Sequence, residues 1–357
     1  MSQLHNINIQ EIHPLPSPAD YQSKLPVSEA IRSTVTEGRK AISKILSGED
    51  SRMLVITGPC SIHDTEAGLE YAGRLKEIKD KFQDRLLIVM RVYFEKPRTT
   101  IGWKGLVYDP SLNGSFDIST GLYQAREFLL QISDMGLLAG TEFVDPIMPQ
   151  YFADLIAWAA IGARTAESQT HRQMASGLSM PVGFKNGTGG SIQLAADAMV
   201  AAQAGHGFLG VDAAGKASVV LTKGNPDCHI VLRGGSQGPN YDENSIAKAT
   251  EILEQAGVKP RLVVDCSHAN SNKDYSKQGL ALRSVVAQRT AGNRHIVGVM
   301  LESHLLEGNQ KLDESDPSKL EYGVSITDAC VGWNETVDLL TETHTAMKKE
   351  QKVGAER

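Results

Sequence analysis

The sequence predicts an α/β protein with a (β/α)8 TIM barrel, an N-terminal extension and an inserted β-hairpin before strand six. Three observations lead to this prediction. Short apolar runs alternate with helical stretches, as they do where helices connect parallel strands. Eight such runs can be identified, and most are continuous in aliphatic residues, which is typical of strands buried on both faces. The 357 residues are also an ordinary length for one barrel.

The eight runs give the predicted strands in chain order. They are MLVITGP (53–59), LLIVMRV (86–92), LLAGTEF (137–143), IGAR (161–164), PVGFKN (181–186), CHIVLRG (228–234), RLVVDCS (261–267) and IVGVMLE (296–302). The fourth run is too short for its pattern alone to identify a strand. The other runs have the length that strands usually have.

Amphipathic helices are predicted between these runs. After Asp64, a suitable N-cap, apolar residues recur every three or four positions. The apolar face consists of Leu69, Ala72, Leu75, Ile78 and Phe82. The same spacing recurs in 122–132 and 246–256, so the chain repeats one strand–helix unit.

Two segments lie outside this repeat. Residues 1–45 are predicted to form an N-terminal extension, with a helix over 27–46. Residues 46–357 are predicted to form the barrel that carries the active site. Within the barrel, two short apolar stretches of 208–224 flank Gly215, and this pattern indicates the inserted hairpin.

Composition excludes several classes of function. The formal net charge is −6, from 36 Lys and Arg against 42 Asp and Glu, whereas nucleic-acid binding needs a basic surface. No apolar run approaches the ~20 residues that cross a membrane, and the N-terminus lacks the pattern of a secretory signal. The four cysteines are too few for a disulfide framework. We therefore expect a cytoplasmic protein without nucleic-acid or membrane partners.

Cationic side chains follow several of the predicted strands. In a (β/α)8 barrel the carboxyl ends of the strands meet at one face, where the active site lies. The cations there are Arg91, Lys96, Arg164, Lys185 and Arg233. Arginine and lysine side chains suit phosphate and carboxylate oxygens. Because converging cations repel one another, this set indicates an anionic ligand that carries several charges.

A second set at the strand ends offers one thiol, one imidazole and two carboxylates. Its members are Cys60, His268, Glu302 and Asp328. Mixed sulfur, nitrogen and oxygen ligands suit a divalent first-row transition metal better than Mg²⁺. Taken singly, Cys60 is equally compatible with a buried small side chain, and His268 with a turn cap. Their common position at one face favours the metal site.

Longer motifs resemble one family of enzymes. These motifs are GPCSIHD (58–64), MRVYFEKPRTTIGWKG (90–105), IGARTAESQTHR (161–172), PVGFKNGT (181–188), HIVLRGG (229–235), DCSHANSNK (265–273), ESHLLEGNQ (302–310) and YGVSITDACVGW (322–333). In order and over essentially the whole chain, they resemble the short, feedback-regulated class I 3-deoxy-D-arabino-heptulosonate-7-phosphate (DAHP) synthases. The resemblance implies a transferase that condenses phosphoenolpyruvate with D-erythrose 4-phosphate and water. The products are DAHP and phosphate, in the first step of the shikimate pathway to chorismate and the aromatic amino acids.

The resemblance also implies roles for individual residues. Substrates would be bound by Arg91, Lys96, Arg98, Thr99, Ala163, Arg164, Lys185 and Arg233, of which Arg98 and Thr99 would hold erythrose 4-phosphate. One divalent ion (Mn²⁺, Fe²⁺, Co²⁺ or Zn²⁺) would be bound by Cys60, His268, Glu302 and Asp328 and would polarise the aldehyde. Catalysis would involve Lys96, Glu142, Lys185 and His268, with Glu142 acting on the attacking water.

An effector site for an aromatic amino acid is implied in the same way, although ordinary packing is the alternative interpretation of its residues. The site would contain Pro146, Pro149, Gln150, Leu178, Ser179, Phe208, Gly210 and Val220. Gly210 and Pro146 match the tyrosine-sensitive members of the family, and glycine leaves room for the phenolic hydroxyl. We expect inhibition by tyrosine, weaker inhibition by phenylalanine and little by tryptophan. The resemblance further implies a homodimer or homotetramer, with a role for the N-terminal extension in oligomer formation or regulation.

Two other functions stay open from the residues alone. A different metal-dependent barrel acting on a phosphosugar, such as an aldolase or epimerase, explains the metal set but not two anion clusters. A non-catalytic sensor of amino acids is compatible with the extension and the hairpin. The complete set of catalytic residues favours the synthase.

Overall fold

The computed structural model describes residues 4–355 and contains a closed barrel of eight parallel strands. The strands of this part of the chain are β1 (Met53–Gly58), β2 (Leu86–Arg91), β3 (Leu138–Glu142), β4 (Trp158–Ile161), β5 (Val182–Lys185), the hairpin strands β6 (Gly207–Val211) and β7 (Ala217–Leu221), β8 (Cys228–Leu232), β9 (Leu262–Asp265) and β10 (Ile296–Glu302). Around the barrel the order is β1, β10, β9, β8, β5, β4, β3 and β2. The predicted (β/α)8 barrel is confirmed.

Helices cover the outside of the barrel. They are α1 (Pro18–Lys24), α2 (Glu29–Ser47), α3 (Thr65–Phe82), α4 (Ile118–Asp134), α5 (Pro149–Phe152), α6 (Gln169–Gly177), α7 (Ile192–Gln203), α8 (Glu243–Gln255), α9 (Gln278–Thr290) and α10 (Trp333–Ala355). The Asp64 side chain accepts hydrogen bonds from the backbone N–H groups of Glu66 and Ala67, so the predicted N-cap is confirmed. No helix within residues 4–355 is long and apolar enough to cross a bilayer.

Alternate strand residues bury on opposite sides of the barrel wall. In β1, Leu54 and Ile56 belong to the core inside the barrel, whereas Met53 and Val55 belong to the core beneath the helices. Both layers are apolar, which explains why the strands read as continuous aliphatic runs. The β1–β10 register pairs Gly58 with Glu302 and thereby brings the segment that contains Cys60 close to Glu302.

Helix α2 closes the amino end of the barrel. Its residues Ile42, Ile45 and Leu46 pack with Leu54 and Trp158 in the inner core. The helix was predicted over 27–46 and is found over Glu29–Ser47. The division of the chain at residue 45 stays a prediction. Helix α2 crosses that position and packs against the inner core of the barrel.

The inserted hairpin consists of β6 and β7, which pair in antiparallel orientation. Phe208 lies opposite Val220, and Gly210 lies opposite Ser218. The turn contains Gly215 with a φ of 75°, a conformation that glycine adopts without steric cost. The predicted hairpin is therefore present just before β8, the sixth strand of the barrel.

The prediction of the fourth strand was wrong. The strand is β4, Trp158–Ile161, and only Ile161 belongs to the predicted run IGAR (161–164). Gly162, Ala163 and Arg164 follow the strand and line the cavity at its carboxyl end. The short helices α1 and α5 were not predicted either.

Candidate active site

A cavity of about 910 Å³ opens at the carboxyl ends of the barrel strands. Its walls contain all the predicted catalytic and substrate-binding residues. These are Arg91, Lys96, Arg98, Thr99, Glu142, Ala163, Arg164, Lys185, Arg233 and His268. Of the predicted metal ligands, Glu302 and Asp328 also line the cavity, whereas Cys60 lies buried beside it. The fold thus gathers residues that end or follow all eight strands of the barrel into one site.

The predicted metal ligands lie close together. Ligand atoms of Cys60, Glu302 and Asp328 all lie within 4.8 Å of one another. His268 Nε2 lies 4.0 Å from a carboxylate oxygen of Glu302 and 4.0 Å from one of Asp328. A thiol, an imidazole and two carboxylates are a suitable donor set for a divalent transition metal. The residues present therefore fit such an ion.

Cys60 is surrounded by charged groups. Lys96 Nζ lies 3.1 Å from Cys60 Sγ, and the Sγ atom lies 3.8 Å from Asp328 Oδ2. Burial is the main cause that raises the pKa of the Cys60 thiol to about 11, and the nearby carboxylate of Glu302 contributes to the same shift. A bound divalent cation has the opposite effect, because it favours the thiolate.

Arg91 is fixed beneath the cavity. Its guanidinium donates to Glu302 Oε1 at 3.0 Å, and both side chains are 1% exposed. It also donates to the carbonyl oxygens of Pro59 and Cys60 and lies over the Tyr93 ring, 3.5 Å from the ring centroid. Arg91 therefore orients a carboxylate of the metal set in addition to carrying charge beside the cavity.

Asp265, which was not predicted as a site residue, contacts two residues that were. Its Oδ2 atom lies 2.9 Å from Lys185 Nζ and 2.9 Å from His268 Nδ1. Burial opposes ionisation, but His268 and Lys185 together hold the pKa of Asp265 well below its usual value. From the sequence, Asp265 can be recognised only as the last residue of a strand, because no neighbouring residue indicates its contact with Lys185.

The other predicted substrate-binding side chains reach the cavity from separate loops. Arg98 and Thr99 follow β2, Arg164 follows β4 and Arg233 follows β8, and all four line the cavity. The Arg164 Nε–H donates to Thr99 Oγ1 at 3.1 Å. This contact connects the residues expected to bind the two different substrates.

Glu142 ends β3 and is buried at the cavity wall. Its Oε1 atom has no hydrogen-bond partner among the described groups, and buried polar atoms of this kind call for an explanation. A Cβ atom at Gly162 would lie 2.1 Å from Oε1, so only glycine at 162 leaves room for this carboxylate. An unpaired carboxylate oxygen at a cavity can accept a proton or a hydrogen bond from a bound molecule.

Glu95 connects the loop after β2 to the segment after β3. Its carboxylate accepts hydrogen bonds from the backbone N–H groups of Val144 and Asp145 at 3.2 and 2.9 Å and from the Tyr108 hydroxyl at 3.0 Å. Burial raises the pKa of Glu95 to about 8, although these donors act to lower it. The next residue is Lys96, so the contact fixes the start of the loop that is expected to bind the substrates.

A second cavity, of about 340 Å³, lies beneath the hairpin. All the predicted effector residues line it: Pro146, Pro149, Gln150, Leu178, Ser179, Phe208, Gly210 and Val220. The cavity is also lined by Gln22, Arg39 and Asp154, which were not predicted from the sequence. A cation and an anion in one small cavity are complementary to the carboxylate and ammonium of an amino acid. A Cβ atom at Gly210 would lie 2.8 Å from Val220 Cγ2, so any larger residue there must displace Val220.

The fold and the site define a class of protein, namely a (β/α)8 barrel with a set of potential divalent-metal ligands beside a cationic cavity. The family model described as the DAHP synthetase I family matches residues 24–341. The chain therefore belongs to this family.

Known relatives are similar over nearly their whole length. The Tyr-sensitive phospho-2-dehydro-3-deoxyheptonate aldolase of Escherichia coli K12 is 52% identical over 341 residues, covering 96% of this chain and 95% of the relative. The Phe-sensitive enzyme of the same organism is 53% identical over 346 residues, covering 97% and 98%. The structure of phospho-2-dehydro-3-deoxyheptonate aldolase from Francisella tularensis SCHU S4 matches with a TM-score of 0.93 at 45% identity, over 96% of this chain and 99% of that one.

Proposed function

We infer that this protein is a DAHP synthase, which condenses phosphoenolpyruvate with erythrose 4-phosphate and water to give DAHP and phosphate. One observation carries the inference: a set of potential metal ligands and five cations from four strands converge on a single cavity in a member of this family. Two phosphorylated substrates, one of which also bears a carboxylate, match a cavity of this charge.

The cations divide between the two substrates. We assign Arg91, Arg164, Lys185 and Arg233, with the backbone at Ala163, to phosphoenolpyruvate. Arg98 and Thr99 would hold the phosphate of erythrose 4-phosphate. Lys96 lies between the metal set and the cavity, where its ammonium group is available to both substrates.

Cys60, His268, Glu302 and Asp328 would hold one divalent ion, for which Mn²⁺, Fe²⁺, Co²⁺ and Zn²⁺ are candidates. When bound, the ion supplies Lewis acidity that polarises the aldehyde of erythrose 4-phosphate. Arg91 supports this set by holding Glu302 in place, and Lys96 does so by contacting Cys60.

The remaining chemistry is assigned to side chains of the cavity. Carbon–carbon bond formation leaves positive character at C2 of phosphoenolpyruvate, which is where water adds. The unpaired oxygen of Glu142 would take the proton of that water, with Lys185 beside the reacting carbon. Arg164 and Arg233 would stabilise the charge on the departing phosphate.

Release of inorganic phosphate tests this function. The purified, Mn²⁺-loaded protein should release phosphate only when both substrates are present, with formation of a seven-carbon product. An aldolase or epimerase acting on a phosphosugar would instead convert erythrose 4-phosphate alone. Absence of phosphate release with both substrates present would refute the assignment.

We further propose tyrosine as the principal feedback inhibitor. Tyr-sensitive and Phe-sensitive relatives are about equally similar to this chain, so overall identity does not select the effector. The proposal rests on Gly210, which leaves space for a phenolic hydroxyl beside Val220 in the second cavity.

Self-association is proposed through the N-terminal segment and the hairpin. Apolar side chains of the segment, Leu4, Ile7, Ile9 and Ile12, are at least half exposed. The outer face of the hairpin presents Leu209, Val219 and Leu221 at 86, 71 and 80% exposure. Apolar surface of this extent is a typical protein–protein interface, and a second copy of the chain is the proposed occupant.

A further inference from the structure

The buried carboxylate of Asp265 is held on both oxygens. Oδ1 accepts hydrogen bonds from the Ser267 backbone N–H at 3.1 Å and from the Ser267 hydroxyl at 2.7 Å. Oδ2 accepts a hydrogen bond from Lys185 Nζ and also faces His268 Nδ1. One oxygen is thereby fixed by Ser267, and the other lies between the proposed metal-binding histidine and the proposed substrate-binding lysine.

This arrangement determines which nitrogen of His268 carries the proton. Nδ1 lies 2.9 Å from Asp265 Oδ2 and 2.7 Å from Ser267 Oγ. Because the Ser267 hydroxyl proton is directed to Asp265 Oδ1, both neighbours of Nδ1 act as acceptors. Nδ1 must therefore be protonated, and the lone pair of Nε2 faces Glu302 and Asp328.

We propose that Asp265 is a positioning residue that sets the metal-binding tautomer of His268 and the position of the Lys185 ammonium through the same carboxylate oxygen. The inference rests on the proposed function, because it takes the roles of His268 and Lys185 from it. It adds that metal affinity and phosphoenolpyruvate affinity depend on one side chain that touches neither ligand. Carboxylates that orient metal-binding histidines generally contribute to metal affinity.

Asp265→Asn is the informative variant because its shape is unchanged. The two Ser267 donors require the amide oxygen at the Oδ1 position, which turns the amide NH₂ toward Lys185 and His268. The amide NH₂ then faces the Lys185 ammonium, which is also a donor, so the ammonium is displaced. The same NH₂ group donates to His268 Nδ1, so the His268 proton moves to Nε2, where it blocks metal binding. We expect the Mn²⁺ dissociation constant to rise about 10- to 100-fold and that of phosphoenolpyruvate to rise roughly tenfold.

Both affinities are to be measured without turnover. Free Mn²⁺ is followed by electron paramagnetic resonance, and phosphoenolpyruvate binding to the metal-free protein by calorimetry. Asp227→Asn is the matched control, since Asp227 accepts a hydrogen bond from Ser43 just before β8, at the opposite end of the barrel. A D265N protein that keeps either affinity at the wild-type value would overturn the shared role. Wild-type protein that binds neither ligand would instead contradict the proposed function.

A second measurement covers the case in which Asp265→Asn does not fold. The metal-free wild-type protein, labelled with ¹⁵N-histidine, reports the tautomer of each imidazole by nuclear magnetic resonance. The His268 signal is the one lost in His268→Gln. We expect a protonated Nδ1 and an unprotonated Nε2, and the reverse tautomer would refute the inference.

Discussion

Cys60 is the thiol of the proposed metal set, and removing it tests whether it is a metal ligand or only a packed side chain. Cys60→Ala removes one of the four donors but only a small volume, so we expect a folded protein that binds Mn²⁺ weakly and has lost activity. Cys228→Ala is the matched control, because Cys228 is also buried but begins β8 at the other end of the barrel. Metal content and phosphate release provide the measurement. Full Mn²⁺ occupancy in Cys60→Ala would contradict the assignment.

Glu95 gives a prediction for the dependence of stability on pH. Burial raises its pKa from 4.5 to about 8, so between these values the folded state binds more protons than the unfolded state. Stability should therefore decrease as pH rises through this range. Tyr108 also faces Glu95, and it stays neutral in this range because burial and the carboxylate of Glu95 raise its pKa.

Glu95→Gln should flatten this dependence, because the amide does not titrate. Urea unfolding midpoints at pH 5.5, 7 and 8.5 are the measurement, and the difference between wild type and variant isolates Glu95 from other groups. Equal slopes in the two proteins would show that Glu95 does not titrate in this range.

Individual site residues were predictable to different degrees. Arg91, Glu142 and Glu302 end recognisable strands, and parallel strands bring such positions to one face regardless of loop details. Asp265 also ends a strand, but its importance arises from Lys185, 80 residues away. Arg39 and Asp154 of the second cavity were missed for the same reason, because nothing local to either residue shows that α2 packs against the segment after α5.

Among the strands, too, only those with a distinctive local sequence could be predicted. β1, β2 and β10 are rich in Val, Ile and Leu and were found almost to the residue. β4 has the sequence WAAI, and alanine has little preference for strands. Its strand conformation comes from pairing with β3 and β5, which a local pattern does not contain.

The hairpin carries the prediction for effector choice. Gly210→Ser places a side chain where a Cβ atom already lies 2.8 Å from Val220 Cγ2, and it takes the space proposed for the tyrosine hydroxyl. An unpaired buried hydroxyl costs ~1–3 kcal/mol, so tyrosine inhibition should weaken by about one to two orders of magnitude. Activity without effector should be unchanged. Gly207→Ser, on the same strand, is the control.

Inhibition curves for tyrosine, phenylalanine and tryptophan determine which amino acid is the principal inhibitor. In the wild type the order of potency should be tyrosine, phenylalanine, tryptophan. Stronger inhibition of the wild type by phenylalanine than by tyrosine would disprove the assignment.

Helix α2 yields a prediction for stability. A Cβ atom at Gly38 would lie 2.2 Å from a Leu138 methyl group. Overpacking costs ~1–3 kcal/mol, whereas alanine gains ~1 kcal/mol over glycine in a helix. Gly38→Ala should therefore lower the melting temperature. Gly73→Ala in α3, where a Cβ would meet nothing within 4 Å, should raise it. A higher melting temperature in both variants would show that the Leu138 side chain moves aside without a loss of stability.

At the scale of the whole molecule, self-association is the prediction. The double variant Leu209→Lys with Val219→Lys charges the outer face of the hairpin and should lower the molar mass measured by light scattering. Leu280→Lys is the control, since Leu280 is 58% exposed on α9, away from the hairpin. An unchanged molar mass in the double variant would place the interface elsewhere.

The closure of the barrel by α2 has a consequence for synthesis on the ribosome. Ser43 in α2 bonds to Asp227, 184 positions later, and Arg39 donates to the carbonyl of Ile156, 117 positions later. At ~5–20 residues per second, translation takes about 10 to 40 seconds to supply Asp227 after Ser43. During that interval the apolar face of α2 has no barrel to cover. The nascent chain must keep Ile42, Ile45 and Leu46 from other apolar surfaces until most of the barrel has been made.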